Sequence, residues 1–103
     1  MAFDGNEGSP ISEARATELT KHYREANPGQ VQSYFLGRKI IETLLNQGGM
    51  GIRIYYGIDN GVPQLLAVGA DANENDQLGD GFIIADEGTC GPPHSGQANF
   101  LNS

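Results

Sequence analysis

No Lys or Arg follows Arg53. Up to that point Arg15, Lys21, Arg24, Arg38, Lys39 and Arg53 balance Asp4, Glu7, Glu13, Glu18, Glu25 and Glu42, so the formal charge of −7 belongs entirely to Asp59, Asp71, Glu74, Asp76, Asp80, Asp86 and Glu87. A surface charged on one side attracts cations or a basic partner and repels phosphate backbones, so nucleic acid is not expected as a partner. Seven carboxylates among the last fifty residues are also too sparse to mimic a nucleic acid. Cysteine is equally scarce: Cys90 stands alone, which excludes an intrachain disulfide and fits a reducing compartment. No stretch approaches the ~18–20 apolar residues of a membrane span. The start, Met1-Ala2-Phe3-Asp4-Gly5-Asn6-Glu7, lacks the basic and apolar regions of a signal peptide. A soluble, cytoplasmic protein with no membrane partner is the expectation.

The 103 residues suffice for one domain that buries roughly two-thirds of its unfolded surface. With 15 Gly and 5 Pro, extra turns should concentrate in the acidic half. Residues 1–8, rich in Gly and acid, read as a flexible tail, and residues 9–103 as a single α+β domain. Ser9-Pro10 offers an N-cap and a proline at the first helical position, and Ala16, Leu19, Tyr23 and Ala26 recur on one helical face between Ile11 and Ala26. Asn27-Pro28-Gly29 closes that helix. A second helix is expected from Ser33 or Gly37 to Gln47, with Ile40, Ile41, Leu44 and Leu45 inward. Gly48-Gly49 follows as its stop.

Gly51 to Ile58 alternates, with Ile52, Ile54, Tyr56 and Ile58 on one face and Arg53, Tyr55 and Gly57 on the other. Asp59-Asn60-Gly61 is a turn signal and Leu65 to Ala70 a second β-run, which predicts an antiparallel hairpin with Pro63 before the paired part or at an edge. Phe82 to Ala85 reads as a third short strand, and Gly88 to Ser103 as an irregular tail in which Phe100 and Leu101 return to cover an apolar surface. The predicted architecture is α+β: two N-terminal helices packed on a small antiparallel sheet, on the face carrying Ile52, Ile54 and Tyr56. A sheet this small keeps open edges that the tail or a partner must cover.

Gly51-Ile52-Arg53-Ile54-Tyr55-Tyr56-Gly57, continued by Leu66-Ala67-Val68-Gly69-Ala70-Asp71-Ala72-Asn73-Glu74-Asn75-Asp76, resembles the central block of a group of small, uncharacterised bacterial proteins. Their pattern is a helical N-terminal part, a GIRIYYG-like strand, a strand ending in VGVDANGND and a cysteine- and proline-rich tail closing on Asn-Leu. Here the tail is Cys90-Gly91-Pro92-Pro93-His94, closing Asn99-Phe100-Leu101-Asn102. That group often has cysteines on both sides of the Pro-Pro pair; this chain has Gly91 after Cys90 and no second cysteine, so a paired-cysteine role does not carry over. The resemblance implies no activity.

Four sets of residues invite chemistry. Asp71, Asn73 and Asn75 match the D-x-[DN]-x-[DN] opening of a calcium loop, with Asp76 adjoining, but Asp76 and Phe82 stand where an EF-hand requires Gly and Glu. Turn formation by Asn and Asp is the preferred reading, so no cofactor is expected, with Ca²⁺ at these residues the alternative. Cys90 and His94, near Asp86, Glu87 and Asn99, contain the residue types of a thiol nucleophile, base and orienting group, without an oxyanion signature. A zinc site from Cys90, His22 and His94 would leave one position to a carboxylate. Gly48-Gly49-Met50-Gly51 follows a helix rather than opening one, the reverse of a phosphate loop. Arg53 and Tyr55 are hot-spot residue types and form the candidate binding pair, set against the preferred alternative in which Arg53 lies across the sheet and pairs with a carboxylate. Together these point to a non-enzymatic binding or protein-interaction module, engaging a protein partner or itself, with a homodimer through the sheet or the late tail as one form. The alternative is a metal- or thiol-dependent enzyme using Asp71, Asp76, Cys90 or His94.

Overall fold

The computed structural model describes residues 2–102. Its elements run α1 (Glu13–Ala26), β1 (Ser33–Phe35), α2 (Arg38–Leu45), β2 (Gly51–Asp59), β3 (Val62–Ala70), β4 (Ile84–Ala85) and β5 (Thr89–Gly91). This is the α+β arrangement of two N-terminal helices, a hairpin with a third strand, and an irregular tail. Two compact units make it up: residues 36–88 with the first seven residues, and residues 8–35 with 89–103.

In the first unit, β2 and β3 pair antiparallel in the register Gly51↔Ala70, Tyr55↔Leu66 and Asp59↔Val62. Asn60 and Gly61 both have positive φ, 51° and 80°, which makes the turn type I′ and matches the right-handed twist of the strands. The pair flanking a two-residue hairpin loop is hydrogen-bonded, and hydrogen-bonded pairs alternate along the ladder. Arg53, Tyr55 and Gly57 therefore bond to β3, while Ile52, Ile54, Tyr56 and Ile58 turn their N–H and C=O groups away from it. The strand order β2-β3-β4 leaves β2 at the edge. Pro63 lies inside the paired part, opposite Ile58, rather than before it. Alternation explains this: its missing N–H faces away from β2, and β4 pairs only with Ala67 and Val68.

Directly opposed residues share a face, so Ile52, Ala67 and Ala85 point the same way. Against them packs Leu44 of α2, 1% exposed, ringed by Leu36, Ile40 and Ile83. Eight helical residues span about 12 Å and nine strand residues about 30 Å, so α2 covers only one end of the hairpin. The far end is bare. Ile54 is 57%, Tyr56 90% and Ile58 74% exposed, correcting the expectation that this face is core along its length. Leu45, also expected inward, is 49% exposed. The third strand is shorter than predicted, Ile84–Ala85 only.

Buried Gln77 and half-buried Gln47 lock the loops behind the sheet. Gln77 Nε2 donates to the Gln47 carbonyl at 3.1 Å, and Gln47 Oε1 accepts from Ile83 N at 2.9 Å. Gly49 and Gly69 lie against this pair, each where a Cβ would meet Gln77 Oε1.

The second unit holds α1 and a two-stranded sheet of β1 and β5, paired Ser33↔Gly91, Tyr34↔Cys90 and Phe35↔Thr89. Ser33 thus belongs to a strand, not to the start of the second helix, whose N-cap is Gly37. Periodicity could not show this, because three extended residues need a partner over fifty positions away. Helix α1 begins later than predicted: Ser12, not Ser9, caps it, its hydroxyl accepting from Arg15 N at 3.0 Å. No α1 residue is fully buried. Leu19, Tyr23 and Arg24 form one wall of a groove closed by Leu101, whose carbonyl accepts from Arg24 Nη1 at 2.7 Å.

Candidate functional site

Strand alternation sets Arg53 and Tyr55 on the face of β2 opposite α2, and the chain after β3 brings Asp76 to them. Arg53 Nη1 donates to Asp76 Oδ1 at 2.6 Å and to the Glu74 carbonyl at 3.1 Å. The Tyr55 hydroxyl donates to Asp76 Oδ2. Phe3, whose N–H donates to the Ala72 carbonyl at 2.9 Å, lays its ring 5.3 Å from the guanidinium carbon, a cation–π distance. Phe3, Glu7, Met50 and Arg53 border a cleft of about 310 Å³. The two binding candidates are therefore brought together, but by a carboxylate first considered for calcium. The N-terminal segment's part in the cluster had no signal in the sequence.

The electrostatics are mutual. The hydrogen bond from Tyr55, and secondarily Arg53, hold the Asp76 carboxyl below its ordinary 3.8 against partial desolvation. The same bond to Asp76 raises the Tyr55 phenol above 10.0, and Asp76 raises Arg53. Asp76 thus stabilises the fold above pH 3.8, and the contribution is lost as pH falls through its lower folded value. Tyr55 contributes below pH 10.0, and that contribution is lost as pH rises through its higher folded value. Asp76→Asn should flatten both limbs of the melting-temperature–pH profile. It should also return one late-titrating tyrosine, followed by tyrosinate absorbance, to the ordinary range; an unchanged tyrosine titration would refute the coupling.

The remaining members of the calcium-like string stabilise their own turn. Asp71 Oδ1 accepts from Asn73 N at 2.9 Å and Asn75 N at 3.0 Å, and Asp71 N donates to the Asn75 carbonyl at 2.9 Å. Both Asp76 oxygens serve Arg53 and Tyr55. No grouping of three or more His, Cys, Asp or Glu suited to a metal occurs among the described residues. Cys90 sits half-buried in β5 opposite Tyr34, and His94 N donates to its carbonyl at 3.1 Å, a backbone turn. Asn99 is tied to the tail itself, its Oδ1 accepting from Leu101 N at 2.8 Å.

Asp86 and Glu87 instead line a groove of about 380 Å³ on the hairpin with Gly57, Asp59, Gln64 and Leu66. Beside it runs the feature that sequence reading placed in the core: the apolar strip Ile54, Tyr56 and Ile58 on an edge strand. No backbone hydrogen bond reaches the outer edge of β2 among the described residues. The signal was available, since a helix ending before Gly48 is too short to cover nine strand residues.

Fold and site together define a small α+β domain that presents an open, apolar edge strand. No helix among the described residues is long and apolar enough to cross a membrane. No family model, curated protein or solved structure matches the chain.

Proposed function

We propose that the chain is a non-enzymatic protein-interaction module that engages its partner along β2. One observation carries this reading: Ile54, Tyr56 and Ile58 stand exposed on the very residues whose backbone groups point out of the sheet. Such an edge accepts an added strand, with main-chain hydrogen bonds supplying affinity and the alternating side chains supplying selectivity. The Arg53–Tyr55–Asp76 cluster stiffens the opposite face of the strand. Immobilised at low concentration, the domain should select extended peptides with alternating apolar residues from a random library. Tyr56→Lys with Ile58→Lys should abolish that binding while leaving the melt nearly unchanged, and Cys90→Ser or a chelator should leave binding intact. Failure to select any strand-like peptide, or binding lost with Cys90→Ser or chelation, would favour the thiol- or metal-dependent alternative.

A further inference from the structure

Resting on that reading, we infer that the occupant of the β2 edge is a second copy of this chain, paired antiparallel about a two-fold axis through Tyr55. The strand's sequence is nearly symmetric about that residue. Pairing all nine residues sets Tyr55 against Tyr55, Ile54 against Tyr56, Ile52 against Ile58, Arg53 against Gly57 and Gly51 against Asp59. Every side chain on the α2 face then meets an apolar neighbour, and exposed Ile58 lies beside Ile52, the residue α2 covers in the second copy. Alternation also agrees, because the residues placed in hydrogen-bonding positions, Ile52, Ile54, Tyr56 and Ile58, are those whose backbone groups face outward.

Charge complementarity on the other face supports the same axis. Arg53 is the last cation of the chain, and its bonds to Asp76 and Glu74 both come from Nη1. In this register it faces Gly57 of the second copy. Gly57, with the Leu66 side chain leaning over it, borders the groove that Asp59, Asp86 and Glu87 wall. The two-fold axis repeats the contact, so each copy lends one guanidinium to the other's acidic groove. No like charges oppose one another along β2. The product is a continuous six-stranded sheet, ordered β4-β3-β2 in each copy and joined β2 to β2, an isologous contact of the kind closed dimers use.

Cysteine cross-linking reads the register directly. In this pairing Tyr55 forms a non-hydrogen-bonded pair with itself, with Cα atoms about 4.5 Å apart, inside the disulfide range, whereas the two copies of residue 54, or of residue 56, are diagonal neighbours at about 7–8 Å, beyond it. In a Cys90→Ser background, Tyr55→Cys should oxidise to a covalent dimer at least about tenfold faster than Ile54→Cys or Tyr56→Cys, as that separation demands. Sedimentation of the unmodified protein should show a dimer dissociating on dilution. Ile54→Lys with Tyr56→Lys, which opposes Lys to Lys at two symmetric positions, should sediment as a folded monomer whose melting temperature no longer rises with concentration as that of the unmodified protein does. A protein monomeric at every concentration, or one cross-linking equally at all three positions or fastest at residue 56, would overturn the inference. A monomer that still selects strand-like peptides would leave the module reading standing without self-pairing.

Discussion

Leu44→Ala is expected to cost about 2–5 kcal/mol and to lower the melting temperature on the order of 10–20 °C. Among the described residues Leu44 is the largest fully buried side chain, and the other buried hydrophobics are Ala67, Val68, Ala70 and Ala85. On the sheet beneath it stand Ala67 and Ala85, too short to fill the vacated volume, while Leu36, Ile40, Ile52 and Ile83 at its rim close it only in part. The control is Tyr56→Ala, which removes a larger side chain from the same sheet face. Because Tyr56 is 90% exposed in the single chain, its truncation, measured at a dilution where the protein is monomeric, should move stability by no more than about 0.5 kcal/mol. Thermal melts followed by circular dichroism compare the two, and similar losses would mean that the core is not centred on α2.

The second large effect separates two glycines that look alike in the sequence. A Cβ on Gly49 would sit 2.5 Å from the Ala70 carbonyl oxygen, which is fixed in the strand and already accepts from Met50 N at 2.7 Å. A Cβ on Gly69 would instead collide with Gln77 Oε1, the end of a side chain that is 8% exposed. Each alanine should cost about 1–3 kcal/mol through overpacking. They should part company in a double-mutant cycle. Gln77→Ala should recover much of the loss from Gly69→Ala and less of that from Gly49→Ala, since Gln77 Oε1 is the nearest obstacle at Gly69, whereas at Gly49 the Ala70 carbonyl is nearer and remains. Equal recovery in urea unfolding would show that the two glycines crowd the same atom. The cycle also probes the neighbouring polar atoms, because Gln47 Nε2 and Gln77 Oε1 are buried without hydrogen-bond partners and removing Gln77 eliminates one of them.

The hairpin was legible because its determinants are local: alternation over nine residues and an Asn-Gly turn whose positive φ values only a few residue types accept. Helix α2 was legible from Ile40, Ile41 and Leu44, and its short length decides what the sheet leaves uncovered. The pairing of β1 with β5 was not legible, because Ser33-Tyr34-Phe35 has no period to reveal it and its partner lies in a Gly- and Pro-rich tail. The Arg53–Asp76 pair was half legible. Arg53 had a strand, a face and seven later carboxylates to choose from, and only the bend of the chain after Ala70 selects Asp76. Asp71, Asn73 and Asn75 show the converse, as a ligand-like spacing arises equally from a carboxylate that accepts bonds from its own loop.

The pairing Phe35↔Thr89 has a consequence for how the chain folds. Residues 36–88 lie between β1 and β5 and make their contacts over shorter sequence separations, so those contacts can form while β1 still waits for its partner. Closing the second unit then requires only that the two ends of an already folded insert be near one another, which removes most of the loop-closure entropy that a pairing so distant in sequence would otherwise demand.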